Sequence, residues 1–125
     1  MQCIIILIYV RLVRPTFDQP LPSTKTSTLQ VPVTFTCAVH SLPPSNVSWA
    51  HLNTPITSNS GADNHYQVSE VRSNKRNVTY VKSTLVVNNV TVADAGDYHC
   101  IVTHHHYGVS NDTTTLLVQC KFSSF

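Results

Sequence analysis

Leu85-Val86-Val87-Asn88-Asn89-Val90-Thr91-Val92-Ala93-Asp94-Ala95-Gly96-Asp97-Tyr98-His99-Cys100 is the most informative stretch of this 125-residue chain. Leu85 and Val87 lie two apart, as on one face of a strand. Asn88-Asn89 then marks a turn. Gly96 lets the chain bend tightly before the next run. Tyr98, Cys100 and Val102 again share a face. The stretch therefore reads as a strand, a polar connection holding Val90 and Asp94, and a second strand.

The same period of two recurs on both sides. Val33, Phe35, Cys37 and Val39 alternate with Thr34, Thr36 and Ala38. Val47 and Trp49 flank Ser48. Val81, Leu85 and Val87 share a face, with Ser83 between them. Thr114, Leu116 and Val118 share a face of the last run. Leu42-Pro43-Pro44-Ser45-Asn46 and Ser58-Asn59-Ser60-Gly61 read as turns. Arg14 to Gln30 carries three prolines, which suits an irregular or edge strand. No helical stripe stands out. Short strands at regular spacing suggest an antiparallel sandwich or barrel.

Cys37, Trp49 twelve residues later, and the motif from Leu85 to Cys100 together resemble the immunoglobulin superfamily. The resemblance spans roughly Pro15 to Gln119. It implies an all-β, immunoglobulin-like two-sheet antiparallel sandwich with Greek-key connections. It also implies a Cys37–Cys100 bridge between the sheets, with Trp49 packed on it. Tyr98 would bond back to the backbone through its hydroxyl. Asp94 would accept hydrogen bonds or pair with a cation. Arg72 and Arg76 are the candidates, and His65 stands where the family usually has Arg. The Trp49-to-Leu85 interval leaves room for one extra strand, so an intermediate-set or variable-set type is expected. Residues 1–14 read as an N-terminal extension, 15–119 as the domain and 120–125 as a tail.

Composition narrows the function. The formal net charge is +2 and charged residues make up 11%. Nucleic-acid binding calls for a clustered basic face, which is absent, so no nucleic-acid partner is expected. Ser and Thr total 28 residues and Asn adds 9, so the polar surface is hydroxyl and amide. Only three glycines occur and no phosphate-loop pattern, and no cofactor is implied. No nucleophile elbow appears either, so an enzyme is not expected.

Asn46, Asn77, Asn89 and Asn111 each begin an N-x-[ST] glycosylation triplet. With four cysteines, they point to an oxidising compartment, extracellular or at the cell surface. Ile4 to Val10 is a seven-residue apolar run, too short to span a membrane. A truncated signal, an edge strand and non-native sequence all stay open there. A Cys3–Cys120 bridge and separate thiols also both stay open.

His104-His105-His106 would lie in the loop joining the last two strands. His104 and His106 on one side could start a zinc site, with His99 approaching. A solvated polar loop is the plainer reading, and histidines that titrate near neutral pH and make binding pH-sensitive are a third. The strand reading sends Asn46, Asn77 and Asn111 to the pole of that loop and Asn89 to the opposite pole. Glycans would crowd the first pole. A protein partner, or a second copy, would then use the flat sheet face of the Trp49, Cys100 and Leu116 strands. Ala50, His99, Ile101, Thr103 and Leu117 point outward there. The expected function is non-catalytic recognition within a cell-surface adhesion or immune-type receptor. A secreted variable-type binder and a structural spacer are the alternatives.

Overall fold

In the computed structural model, which describes residues 11–57 and 65–120, the alternating runs become nine strands in two sheets. The strands are β1 (Val13–Gln19), β2 (Thr24–Thr28), β3 (Val33–Leu42), β4 (Asn46–His51), β5 (Thr54–Ile56), β6 (Tyr66–Lys75), β7 (Val78–Val87), β8 (Gly96–His104) and β9 (Gly108–Gln119). A single 3-10 turn, Val92–Asp94, precedes β8. One sheet has the order β1-β3-β7-β6 and the other β2-β9-β8-β4-β5. The fold is the expected sandwich. One pairing departs from the antiparallel pattern, since β2 runs parallel to β9. The turn expected at Ser58 to Gly61 and the apolar run from Ile4 to Val10 lie outside the described residues.

The proline-rich segment becomes two edge strands in different sheets. Pro20 and Pro22 cannot donate to a ladder, so pairing stops between β1 and β2 and the chain changes layer. Leu21, held between them, is buried, and its N–H donates to the Asp112 carboxylate at 2.7 Å. The extra strand expected after Trp49 is β5, paired with β4.

Inward residues of both sheets meet in one core. Phe35, Cys37 and Val39 come from β3, and Val81, Leu85 and Val87 from β7. Trp49, Tyr98, Cys100, Val102 and Leu116 face them from the other sheet. The Cys37–Cys100 disulfide crosses the core, with Cα atoms 6.4 Å apart. Beside it runs a second crossing, in which Trp49 Nε1 donates to Ser83 Oγ at 2.9 Å. Register sets this pairing, because Trp49 sits opposite Cys100 on β4–β8 and Ser83 opposite Cys37 on β3–β7. Ser83, a polar residue in an apolar run, is thus the acceptor a buried indole needs.

The approach to β8 forms a hydrogen-bonded corner. Tyr98 OH donates to the Asp94 carbonyl at 2.7 Å, as the resemblance implied. The Asp94 side chain is buried. Its Oδ2 accepts from the Thr91 N–H at 2.8 Å, and its Oδ1 lies 2.7 Å from His65 Nε2. His65, not Arg72 or Arg76, is therefore the cation-capable partner. Arg72 pairs with Glu70 and reaches the Ser45 carbonyl instead. Gly96 has φ +112°, and a Cβ there would stand 2.9 Å from Leu52 Cδ2.

Gly96→Ala is therefore expected to destabilise the domain by more than about 1 kcal/mol, since L-residues are strained at that φ. Adding Leu52→Ala should relieve the steric share but not the backbone share. Urea denaturation of both variants checks this, and full recovery in the double variant would contradict the backbone argument.

Candidate functional site

The outward face of the five-stranded sheet carries the residues expected to meet a partner. On β8 these are His99, Ile101 and Thr103, opposite Ala50, Ser48 and Asn46 of β4. On the other side of β8 they face Thr113, Asn111 and Val109 of β9. Ala50 is only 7% exposed. Thr103 is open, Ile101 is half-buried, and His99 Nδ1 bonds Thr113 Oγ1 at 2.8 Å. Ile101 borders a shallow hollow of about 300 Å³ with Ala50, Leu52, Pro55, His99 and Asn111.

Leu117 is 48% exposed but does not join that hollow. Ile101 is opposite Asn111, and Leu117 lies six residues farther along β9. At 3.4 Å per residue the two apolar residues are about 20 Å apart. His99, Thr113 and Thr115 fill the interval. Ile101 and Leu117 are therefore separate apolar places on the face, and Val109, 63% exposed, lies on it two residues before Asn111.

The histidine loop is smaller than the sequence suggested. β8 runs through His104, and β9 begins at Gly108 with φ +80°. Only His105, His106 and Tyr107 form the turn, a three-residue hairpin closed by a left-handed glycine. His104 is not a loop residue. It is buried, and its Nδ1 accepts the N–H groups of His106 and Tyr107 at 3.1 and 3.2 Å. The ring proton then sits on Nε2, a buried atom without a hydrogen-bond partner. His104 and His106 thus do not present a free pair of imidazole lone pairs. Among the described residues no three His, Cys, Asp or Glu side chains group as a metal site would require. Tyr107 is instead capped by Arg14, whose guanidinium carbon lies 4.8 Å from the ring centroid.

All four sequon asparagines are exposed. Asn77 sits in the β6–β7 turn, where Arg76 and Asn77 both have positive φ. Asn46 begins β4, and Asn89 lies at the far end of β7. Asn111 differs from expectation. It is not at the pole but three residues into β9, on the sheet face opposite Ile101. The reason is the short hairpin, which starts β9 earlier than a long loop would. Cys120 is exposed just past β9 and forms no disulfide among the described residues, and Cys3 lies outside them.

An immunoglobulin-domain family model matches residues 14–104. The chain belongs to the immunoglobulin domain family. This immunoglobulin domain also matches solved structures of the same fold. An I-band fragment, I67-I69, of titin superposes with a TM-score of 0.67 at 24% identity, over 85% of this chain and 33% of that one. Dpr2 Ig1-Ig2 in complex with DIP-Theta Ig1-Ig3 gives 0.68 at 16% identity, over 87% and 33%. Drosophila OTK extracellular domains 3-5 give 0.65 at 21% identity, over 86% and 32%. The chain spans about a third of each of these structures. No curated protein matches the sequence.

The phenols at the corner predict a pH response. Burial pushes the Tyr98 hydroxyl far above its ordinary range, and Tyr66 and Asp94 beside it push the same way. Burial, then the Asp94 charge, also raises Tyr66. Unfolded phenols ionise near ~10, while the folded ones keep their protons. Stability should be fully present below that pH and fall as pH rises above it. Tyr98→Phe should flatten this alkaline decline and cost about 1–3 kcal/mol at neutral pH by orphaning the Asp94 carbonyl. Urea midpoints measured from neutral to alkaline pH check both, and an unchanged slope would refute the assignment.

Proposed function

We propose that this immunoglobulin domain is a non-catalytic recognition module outside the cell, in a cell-surface adhesion or immune-type receptor that engages another protein. The observation carrying this reading is the exposure of all four sequon asparagines around a buried disulfide. Each of the four side chains is thereby open to oligosaccharide transfer, and a buried disulfide suits an oxidising compartment. The fold itself is shared by an I-band fragment and by extracellular domains, so the compartment has to be read from this chain's own residues.

A non-catalytic role fits the way the polar side chains are used. His65 and Asp94 pair, but the nearby Thr91 hydroxyl donates to the same carboxylate at 3.2 Å. No nucleophile is thereby activated by the imidazole. The three-residue hairpin also favours a rigid surface over a long variable loop, and so favours the receptor module over a loop-driven soluble binder.

Protein recovered from its native source is expected to yield N-glycopeptides and a Cys37–Cys100 cross-linked peptide by mass spectrometry. Bare sequons together with alkylatable Cys37 and Cys100 would overturn the extracellular reading. A tetramer of the glycosylated domain should stain partner cells, and protease treatment of those cells should abolish the staining. Staining that resists protease would overturn a protein ligand.

A further inference from the structure

Asn111 is both a sequon asparagine and a wall of the hollow bounded by Leu52, Pro55, His99 and Ile101. We propose that an N-linked glycan on Asn111 folds across this hollow and closes the β4–β5–β8 part of the sheet face to other molecules. The proposal rests on the extracellular reading above.

Geometry aims the glycan at the hollow. Asn111 and Ile101 are directly opposed on β9 and β8, so their side chains leave the same face with Cβ atoms about 5 Å apart. β8, β4 and β5 follow in order away from β9. Three strand spacings separate β9 from β5, about 14 Å, within reach of the first few sugars. The hollow offers both contacts a pyranose uses. Leu52, Pro55 and Ile101 give apolar surface for the C–H face of the ring. Asn53 and His99 give polar atoms for the hydroxyls. His99 spends Nδ1 on Thr113, which leaves Nε2 for a sugar hydroxyl.

Leu52 is the exposed member, at 53%. Left open, it would extend an apolar patch of the kind that marks a contact or an aggregation site. The modification is ordinary group transfer from an oligosaccharide carried on a lipid pyrophosphate. The Asn111 Nδ2 bonds to the anomeric carbon, the bond from that carbon to pyrophosphate oxygen breaks, and the amide gives up one proton. Val109 and Leu117 are then the exposed apolar residues of β9 that remain open on this face.

The test uses the full chain secreted from a glycosylating host. Site-resolved glycopeptide mapping should find Asn111 occupied. Asn111→Gln, and wild type deglycosylated under native conditions, should each bind an apolar fluorescent dye several-fold more strongly and self-associate in sedimentation. Asn46→Gln, at the rim of the same face, should change neither. Ile101→Thr added to Asn111→Gln should reverse the gain. Occupied Asn46, Asn77 or Asn89 with a bare Asn111 overturns this proposal and leaves the extracellular reading standing. No occupied sequon overturns both. Unchanged dye binding in both unglycosylated forms overturns the shielding.

Discussion

Two bonds side by side hold the sheets in register: the Cys37–Cys100 disulfide and the Trp49–Ser83 hydrogen bond. Their residues pair across the strands, so each bond fixes the position of the other. The disulfide closes a sequence separation of 63, a constraint on the unfolded chain of about 4 kcal/mol in the entropy model. The indole bond adds direction, because a buried N–H without an acceptor is costly. Phe35 then packs on both Trp49 and Tyr98, with centroids 6.4 and 4.9 Å away. The remaining core residues fill in around that axis.

The corner before β8 depends on the same axis, since Tyr98 is two residues from Cys100. Asp94 gathers Thr91, His65 and, through its carbonyl, Tyr98. It thereby ties the β6 end of one sheet to the start of β8 in the other. His65 supplies a partner that the family resemblance assigned to Arg. A shorter side chain suffices because His65 leads directly into β6, and its own carbonyl accepts the Asn88 N–H at 2.8 Å.

The outward face of the five-stranded sheet is shaped by how early β9 begins. His104 turns inward and holds the two amides that follow it, so the hairpin closes in three residues. That closure moves Asn111 from the pole to the middle of the face and places it beside Ile101. One histidine's inward orientation thus decides where the Asn111 sequon stands relative to the hollow beside Ile101.

Periodicity and the spacing of Cys37, Trp49, Asp94, Gly96, Tyr98 and Cys100 were enough to determine the sandwich, its disulfide and most of its core. These features are local or recur at fixed intervals, so a single sequence carries them. Three matters were decided only in the folded molecule. Ser83 reads as an interruption in an apolar strand until Trp49 is brought across from the other sheet. His104 reads as a loop histidine on the same side as His106 until its ring is seen capping the turn. Ile101 and Leu117 read as one apolar face until register places them about 20 Å apart. Each depends on which residues of distant strands stand opposite one another, and alternation along one strand assigns a face without assigning a partner.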